Sequence, residues 1–469
     1  MNINKDNEKC ENSSLLESFS QESTKKDLII GSWSGTLDIG IAQMTIVLHI
    51  ENKSNEVLSG SFDYLQEKMH GLPIDSITFN EELLKFEIKT FSVKFEGTLT
   101  NIESEISGQW VQYGKLFPII FKKGIEAFQV PNRPQEPKKP YPYREEFVFY
   151  ANPRANVNLA GTLTLPLSNG TFPVVILIPG AGQSDRDASI LGHKPFWVLA
   201  DFLTRQGIAI LRFDKRGCGK STGDFNAATT QDFADDVLAG VEYLKSRKDI
   251  NLKQIGLIGH SEGGLIAPMV AANSHDIAFI VLMAACGVTG EEIMYGWGAA
   301  IERANGSSQE AIDKDRQQKK ERFSVLKGEP DFDKAAKQLH EIIKIQKQGE
   351  TNFGSEAIDA EVNYMNTRWF RYFLTCDPII ALKQVKIPVL AINGDLDQQI
   401  FSKENLPAIS KALADGGNKD YSIVELPKLN HLFQTCDDGS FGEYAKIEET
   451  ISPAVLKLIG EWIVNRFLK

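Results

Sequence analysis

The sequence predicts a doubly wound, mostly parallel α/β sheet with an inserted helical cap, preceded by a small all-β domain of barrel or sandwich type. Three observations lead there. From residue 146 onward, β-branched strand-like runs alternate with amphipathic helical stretches, the pattern of a sheet covered on both faces. Between Leu28 and about Lys123 the apolar residues recur at every second position, in short segments bounded by turn residues. Between these regions Pro131, Pro134, Pro137, Pro140 and Pro142 favour an extended, semi-rigid spacer.

Length and composition agree with that division. A chain of 469 residues is too long for one ordinary core, and 42% apolar with 24% charged residues is the composition of a soluble globular protein. The net charge of −11 opposes partnership with nucleic acid or anionic membrane surfaces. No stretch approaches the roughly 18 uncharged apolar residues of a membrane span. Residues 1–27, rich in Asn, Lys, Glu and Ser, read as a disordered leader without the apolar core of a secretory signal. Cys10, Cys218, Cys286, Cys376 and Cys436 have neither metal-ligand spacing nor disulfide-framework density, so reduced thiols, a cytoplasmic location and a metal-free, cofactor-free protein are expected.

Taken in order, the β region (28–125) shows period-two runs at Met44–Ile50, Leu84–Ile88 and Phe91–Phe95, with turn signals at Glu51–Asn55 and Asn80–Glu82. A Gly-x-aromatic cadence recurs at Gly31–Trp33, Gly60–Phe62 and Gly108–Trp110. It holds no titratable cluster, so it reads as a packing or recognition module, and residues 140–469 alone are expected to retain the chemical step. After the linker (126–145), strands are predicted at Val174–Ile178, Ile208–Phe213, Ile255–Gly259, Ile277–Met283, Ile387–Ile392 and Tyr421–Leu426. Helices are predicted at Trp197–Arg205, Gln231–Lys248 and Pro453–Phe467. The segment from about 287 to 377 is strongly helical, with runs at Ser308–Ser324, Asp333–Gln348 and Ser355–Phe373. Inserted between two strands, it reads as a cap over the site.

The chemistry centres on Gly259-His260-Ser261-Glu262-Gly263-Gly264, a glycine-bracketed serine between a strand and a helix. A serine hydroxyl is a poor nucleophile and needs exposure, an adjacent base and donors for the developing oxyanion; a strand–turn–helix supplies all three. Asp395 and Asp397 follow a later strand and His431 the next, so all lie at carboxyl ends of strands, where such sheets bind ligands. Spacing alone does not choose between the two aspartates.

This serine, acid, histidine order resembles the α/β-hydrolase superfamily over about residues 146–469. Pro179-Gly180-Ala181-Gly182 with Asp185-Arg186-Asp187 is similar to the oxyanion loop of its bacterial carboxylesterases. Asp214-Lys215-Arg216-Gly217-Cys218-Gly219-Lys220-Ser221 and the serine turn resemble serine-aminopeptidase-like and dienelactone-hydrolase-like members. Asn393-Gly394-Asp395-Leu396-Asp397 and Asn430-His431-Leu432 complete the pattern. The resemblance implies Ser261 as nucleophile, His431 as base, Asp397 as acid (the third residue after Gly394), and the backbone amides of Ala181 and Glu262 as oxyanion donors. Gly180, Gly182, Arg186, Asp214 and Arg216 would support the oxyanion loop, the charged three as an ion-pair network beneath it.

The other histidines, His49, His70, His193, His275 and His340, read as structural or solvated, and His260 sits on the wrong side of the turn to reach the hydroxyl. Trp297, Tyr364, Trp369, Phe370, Tyr372 and Phe373 could line an acyl pocket, but cap-to-core packing is favoured. The resulting expectation is a serine esterase acting through an acyl-enzyme on a small-molecule ester. An aminopeptidase-like peptidase or thioesterase is the enzymatic alternative, and a ligand-binding module on an inactive scaffold the non-enzymatic one. The sequence leaves oligomeric state open.

Overall fold

The computed structural model describes residues 25–38, 43–54, 57–67, 69–91, 93–100, 104–112, 115–125, 132–348 and 355–468. Most of the expected leader, with Cys10, and the linker start at 126–131 lie outside the described residues. Lys25–Ile29, at the leader's end, is a short helix, and the carbonyl of buried Ile29 accepts a bond from Trp33 Nε1 at 2.8 Å.

Nine strands form one antiparallel sheet: β1 (Gly31–Asp38), β2 (Gln43–Ser54), β3 (Val57–Tyr64), β4 (Met69–Pro73), β5 (Ser76–Asn80), β6 (Leu83–Ile88), β7 (Val93–Leu99), β8 (Glu105–Gln112) and β9 (Lys115–Lys123). Their order is β4-β3-β2-β1-β9-β8-β7-β6-β5. The sequence pattern sets which face goes in: along β7, Val93, Phe95, Gly97 and Leu99 are buried and Lys94, Glu96 and Thr98 exposed. β4 and β5 stand at opposite ends of the order, yet only Ile74 and Asp75 separate them in the chain. The sheet must curl to satisfy both. Ile74 N donates to Gly60 O of β3 at 3.0 Å and Asp75 N to Glu87 O of β6 at 2.9 Å. The module is thus a curled half-barrel rather than a sandwich, its interior filled by Trp33, Leu48, Phe86, Phe95, Trp110 and Phe121. Phe91, expected to open a strand, instead closes a 3₁₀ turn at Lys89–Phe91.

The half-barrel core does not end at the module. Leu191, Leu432 and Tyr444 of the second region belong to the same apolar cluster, and Gly192 packs so closely on the Gln66 carbonyl that a Cβ there would stand 2.5 Å from its oxygen. Nor is the proline-rich spacer loose where it is described. Buried Arg133 donates to the carbonyls of Leu191 (3.1 Å), Gly192 (3.3 Å), Ala445 (2.9 Å) and Ile447 (2.8 Å).

The second sheet has eight strands: β10 (Tyr143–Asn152), β11 (Val157–Pro166), β12 (Phe172–Ile178), β13 (Ala209–Phe213), β14 (Ile250–His260), β15 (Ile277–Met283), β16 (Val389–Gly394) and β17 (Tyr421–Leu426). Their order is β10-β11-β13-β12-β14-β15-β16-β17, antiparallel at the β10 and β11 edge and parallel from β13 onward. Sequence reading assigned neither β10 nor β11. Helices cover both faces: Thr230–Lys245, Glu262–Asn273 and Ser402–Asp415 pack one core with Val174, Ile176 and Leu257. Pro195–Thr204 and Pro453–Phe467 pack the other with Val175, Leu177 and Ile258. Alternate residues of each buried strand face alternate layers, which is why these strands read as unbroken apolar runs.

Between β15 and β16 the chain leaves the sheet to build the cap from helices Gly290–Ala304, Gln309–Gly328, Phe332–Gln346, Ser355–Met365 and Arg368–Thr375. The cap has a core of its own, including Tyr295, Phe323, Leu339, Ile343, Val362 and Phe370. The expected helical run Ser355–Phe373 is divided into two helices, because Thr367 leaves helical geometry (φ −88°, ψ 156°) and caps the second by accepting from Phe370 N at 3.2 Å.

Candidate active site

Strand order brings the motifs together. β12 lies beside β14 with Ile178 opposite Gly259, so the Pro179–Gly182 loop and the Ser261 turn leave neighbouring strands at the same edge. β13 lies on the other side of β12, making this the point where the chain reverses its direction across the sheet. The loops after β16 and β17 carry Asp397 and His431 to that same edge.

Ser261 has φ 55° and ψ −117°, a conformation costly for a residue with a side chain, and persists because its surroundings fix it. Its N–H donates to Met283 O at 2.9 Å, and its carbonyl accepts from Gly264 N at 2.9 Å as the helix Glu262–Asn273 begins. The bracketing glycines are sterically required. A Cβ on Gly259 would run into the backbone of Gly263, and one on Gly263 into the carbonyl of Ile178. Gly180 is nearly as close, since a Cβ there would sit 3.2 Å from Ser261 Cβ.

His431 and Asp397 are both buried, with His431 Nδ1 2.8 Å from Asp397 Oδ2. The other carboxylate oxygen, Asp397 Oδ1, accepts from the backbone N–H of Gln399 (2.8 Å) and Ile400 (2.9 Å), which fixes the acid's orientation. Asn430 Oδ1 shapes the histidine loop by accepting from Leu432 N and Gln434 N, both at 3.0 Å. Asp395 is placed elsewhere: its Oδ1 accepts from Lys428 N at 2.6 Å and closes a turn. His260 turns away from the serine and bonds through Nε2 to the carbonyl of His431 at 2.9 Å, its ring centroid 4.7 Å from that of His431. Burial, and then the neighbouring His431, push the His260 pKa down to about 3, so it is neutral at ordinary pH.

Near the Pro179–Gly182 loop, Arg186, Asp214 and Arg216 do not form one network: Arg186 pairs with Asp214, and Arg216 with Asp236. Arg186 holds Asp214 through Nε at 3.0 Å and a terminal nitrogen at 2.6 Å, reaches Thr162 Oγ1 at 2.9 Å and lies over the Phe147 ring. Arg216 holds Asp236 at 2.7 and 2.8 Å. Burial raises the Asp214 pKa, but bonds from Arg186 and from the Lys220 N–H outweigh it and hold the carboxyl below its usual range.

A third cluster was missed in the sequence. Lys215, 2% exposed, donates to Gly180 O at 2.7 Å, Gly182 O at 3.3 Å and Glu262 Oε2 at 3.1 Å. Glu262, 1% exposed, accepts at its other oxygen from Thr230 Oγ1 at 2.8 Å and from Trp369 Nε1 of the cap at 2.6 Å. The Lys215 ammonium also lies 4.2 Å from the Phe233 ring centroid. Of the cap aromatics, Phe370 is interior to the cap, Phe373 stacks on Trp369 at 5.2 Å along the cap-to-body seam with Leu265 and Ile400, and Tyr364 is 47% exposed. His193 is buried against Thr450, Gln434 and the Tyr444 carbonyl, behind the His431 loop.

Among the described residues no group of three or more His, Cys, Asp or Glu side chains is placed to hold a metal, and no helix is long and apolar enough to cross a membrane. Cys218, Cys286, Cys376 and Cys436 are free thiols.

Esterase EstD of Thermotoga maritima is 24% identical over 387 residues, 81% of this chain and 80% of that protein. The uncharacterized protein YfhR of Salmonella typhimurium is 31% identical over 114 residues, 22% of this chain and 38% of its own. Among solved structures, Est1E of Butyrivibrio proteoclasticus with bound ferulic acid aligns at 18% identity and a TM-score of 0.40, covering 69% of this chain and all of that one. The Pyrococcus furiosus esterase Pf2001 aligns at 18% identity and 0.43, covering 73% and 100%. The model of the alpha/beta hydrolase family matches residues 175–439, a span that begins inside β12, takes in the Ser261 turn, the cap and Asp397, and ends past His431. With more than half of its length inside that match, the chain belongs to the alpha/beta hydrolase family.

Proposed function

We propose that the protein is a serine hydrolase cleaving carboxylic esters through an acyl-enzyme, with Ser261 as nucleophile, His431 as general base and Asp397 as the acid that orients it. The observation carrying this reading is the 2.8 Å contact of His431 Nδ1 with Asp397 Oδ2 at the same sheet edge as the strained Ser261 turn. The carboxylate fixes the proton on Nδ1, leaving Nε2 as the basic nitrogen. Nε2 takes the Ser261 proton as Oγ attacks the ester carbonyl, and the tetrahedral oxyanion is held by the backbone N–H groups of Ala181 and Glu262. The imidazolium then returns its proton to the leaving alkoxide as the C–O bond breaks. Water, deprotonated by the same nitrogen, releases the acid and restores Ser261.

The esterase name of the Thermotoga relative favours ester over peptide substrates. We assign the half-barrel (28–125) a structural part in this enzyme, since its core reaches Leu432, next to His431. Hydrolysis of p-nitrophenyl acetate and butyrate, beside aminoacyl p-nitroanilides, tests the reading. The wild type is expected to turn over the esters and Ser261→Ala to lose that activity by at least about 10³-fold. Turnover of the anilides alone would make it a peptidase, and turnover of neither would leave a non-catalytic scaffold.

A further inference from the structure

Lys215, Glu262 and Trp369 make a buried chain of contacts from the cap to the loop beside the serine, and the catalytic proposal leaves it unused. An ammonium has three donors, and Lys215 directs them at three acceptors: two carbonyls of one short loop, Gly180 and Gly182, and the Glu262 carboxylate. The Gly180–Ala181 peptide is trans, so its C=O and N–H point in opposite directions. Drawing the Gly180 oxygen toward Lys215 therefore aims the Ala181 N–H to the far side of the loop. Gly180 itself is pressed against Ser261, and Ala181 is exposed. Glu262, the residue after the serine, anchors the ammonium and also receives the Trp369 indole N–H from the cap helix Arg368–Thr375.

We propose that Lys215 is a positioning residue for the oxyanion hole and that Trp369 couples the seating of the cap to it through Glu262. This rests on the serine-hydrolase reading above. With the cap seated, Trp369 holds the Glu262 carboxylate, Glu262 holds Lys215, and Lys215 fixes the peptide whose N–H meets the oxyanion. Donor geometry set before the reaction is what stabilises a transition state without stabilising bound substrate equally. The array therefore acts on turnover more than on ground-state affinity.

The test uses the full chain and two inhibitors of like shape: an alkyl trifluoromethyl ketone, which adds to the serine as a tetrahedral oxyanion, and the parent methyl ketone, which binds without adding. Trp369→Phe keeps an aromatic ring to pack against Phe373 while removing the indole N–H. The double variant Lys215→Met with Glu262→Gln avoids leaving one buried charge unpaired. Expected are a loss of about tenfold in kcat for Trp369→Phe and about 10²-fold for the double variant, with trifluoromethyl ketone affinity falling in parallel and methyl ketone affinity within about twofold of wild type. Tyr295→Phe, which removes the bond from cap-core Tyr295 to Glu291, should leave all three values unchanged. Equal losses for both ketones, or none in folded variants, would overturn the positioning role. A wild type that neither hydrolyses p-nitrophenyl esters nor binds the trifluoromethyl ketone would instead refute the serine-hydrolase reading, and this proposal with it.

Discussion

His431 Nδ1 meets Asp397 Oδ2 at 2.8 Å, whereas Asp395, only two residues earlier, spends its carboxylate on the Lys428 N–H at 2.6 Å. The two aspartates thus have different partners, and the proposed mechanism uses only the first. Asp397→Asn keeps the shape but lets His431 take the wrong tautomer, and should lower kcat by about 10²-fold or more. Asp395→Asn should retain most activity. Steady-state kinetics on one ester, with circular dichroism to confirm folding, rank the pair; the reverse ranking would transfer the role to Asp395.

The serine turn has no room for side chains at its glycines. Gly263→Ala forces a Cβ into the Ile178 carbonyl, which is backbone and cannot swing aside. We predict a loss of about 3 kcal/mol or more in stability together with ester turnover, measured by urea unfolding and by rate. A Gly263→Ala variant with wild-type stability would show that the turn is looser than described.

His260 gives stability a defined pH dependence. Its pKa falls to about 3 on folding because burial, reinforced by His431, penalises the cation. In the unfolded chain it titrates near 6.5, so between about pH 6 and 4 the unfolded state carries one more proton there. Acid therefore favours unfolding in that window, by up to about 1.4 kcal/mol per pH unit from this group alone, and the effect levels off near pH 3. His260→Gln, which keeps a donor for the His431 carbonyl, should flatten the curve of unfolding free energy against pH over that range. Parallel curves for the two proteins would contradict the assignment.

Arg133 ties the spacer to two segments flanking the site through the carbonyls of Leu191, Gly192, Ala445 and Ile447. Arg133→Met strips these buried acceptors of their donor and should cost about 2–4 kcal/mol in unfolding free energy. For the same reason a chain beginning at residue 140 loses Arg133 and uncovers Leu191, Leu432 and Tyr444. Any retained chemical step should then come with a lower melting temperature than in the full chain, and an unchanged melting temperature would make the module a mere appendage.

The sequence made some of this architecture legible and hid the rest for identifiable reasons. The parallel strands were readable because burial on both faces leaves long β-branched runs such as Val174–Ile178. β10 escaped because its edge position leaves Phe147 and Phe149 exposed in alternation with buried Val148 and Tyr150, so Phe147–Tyr150 shows no apolar–polar alternation, and Arg144 and Glu145 before it follow a proline-rich stretch. Half-barrel and sandwich share the same period of two; only the Ile74–Asp75 junction between the terminal strands separates them. The turn glycines, Asp397 and His431 stood out by type and order. Lys215 did not, because nothing in its neighbours distinguishes a buried ammonium from a solvated one. One signal was present: Glu262 is a carboxylate opening the apolar run Gly263–Ala267, and such a charge needs a buried partner. Naming that partner required the fold, which brings residues 215, 262 and 369 together from the loop after β13, the serine turn and the cap.

The proposed mechanism requires Ser261 as its nucleophile. Treating the 469-residue protein with a fluorophosphonate and mapping the modified peptide by mass spectrometry checks this. One adduct is expected, on Ser261, abolished in His431→Ala and greatly slowed in Asp397→Asn. An unmodified Ser261 in folded protein, or an adduct on another serine, would contradict it.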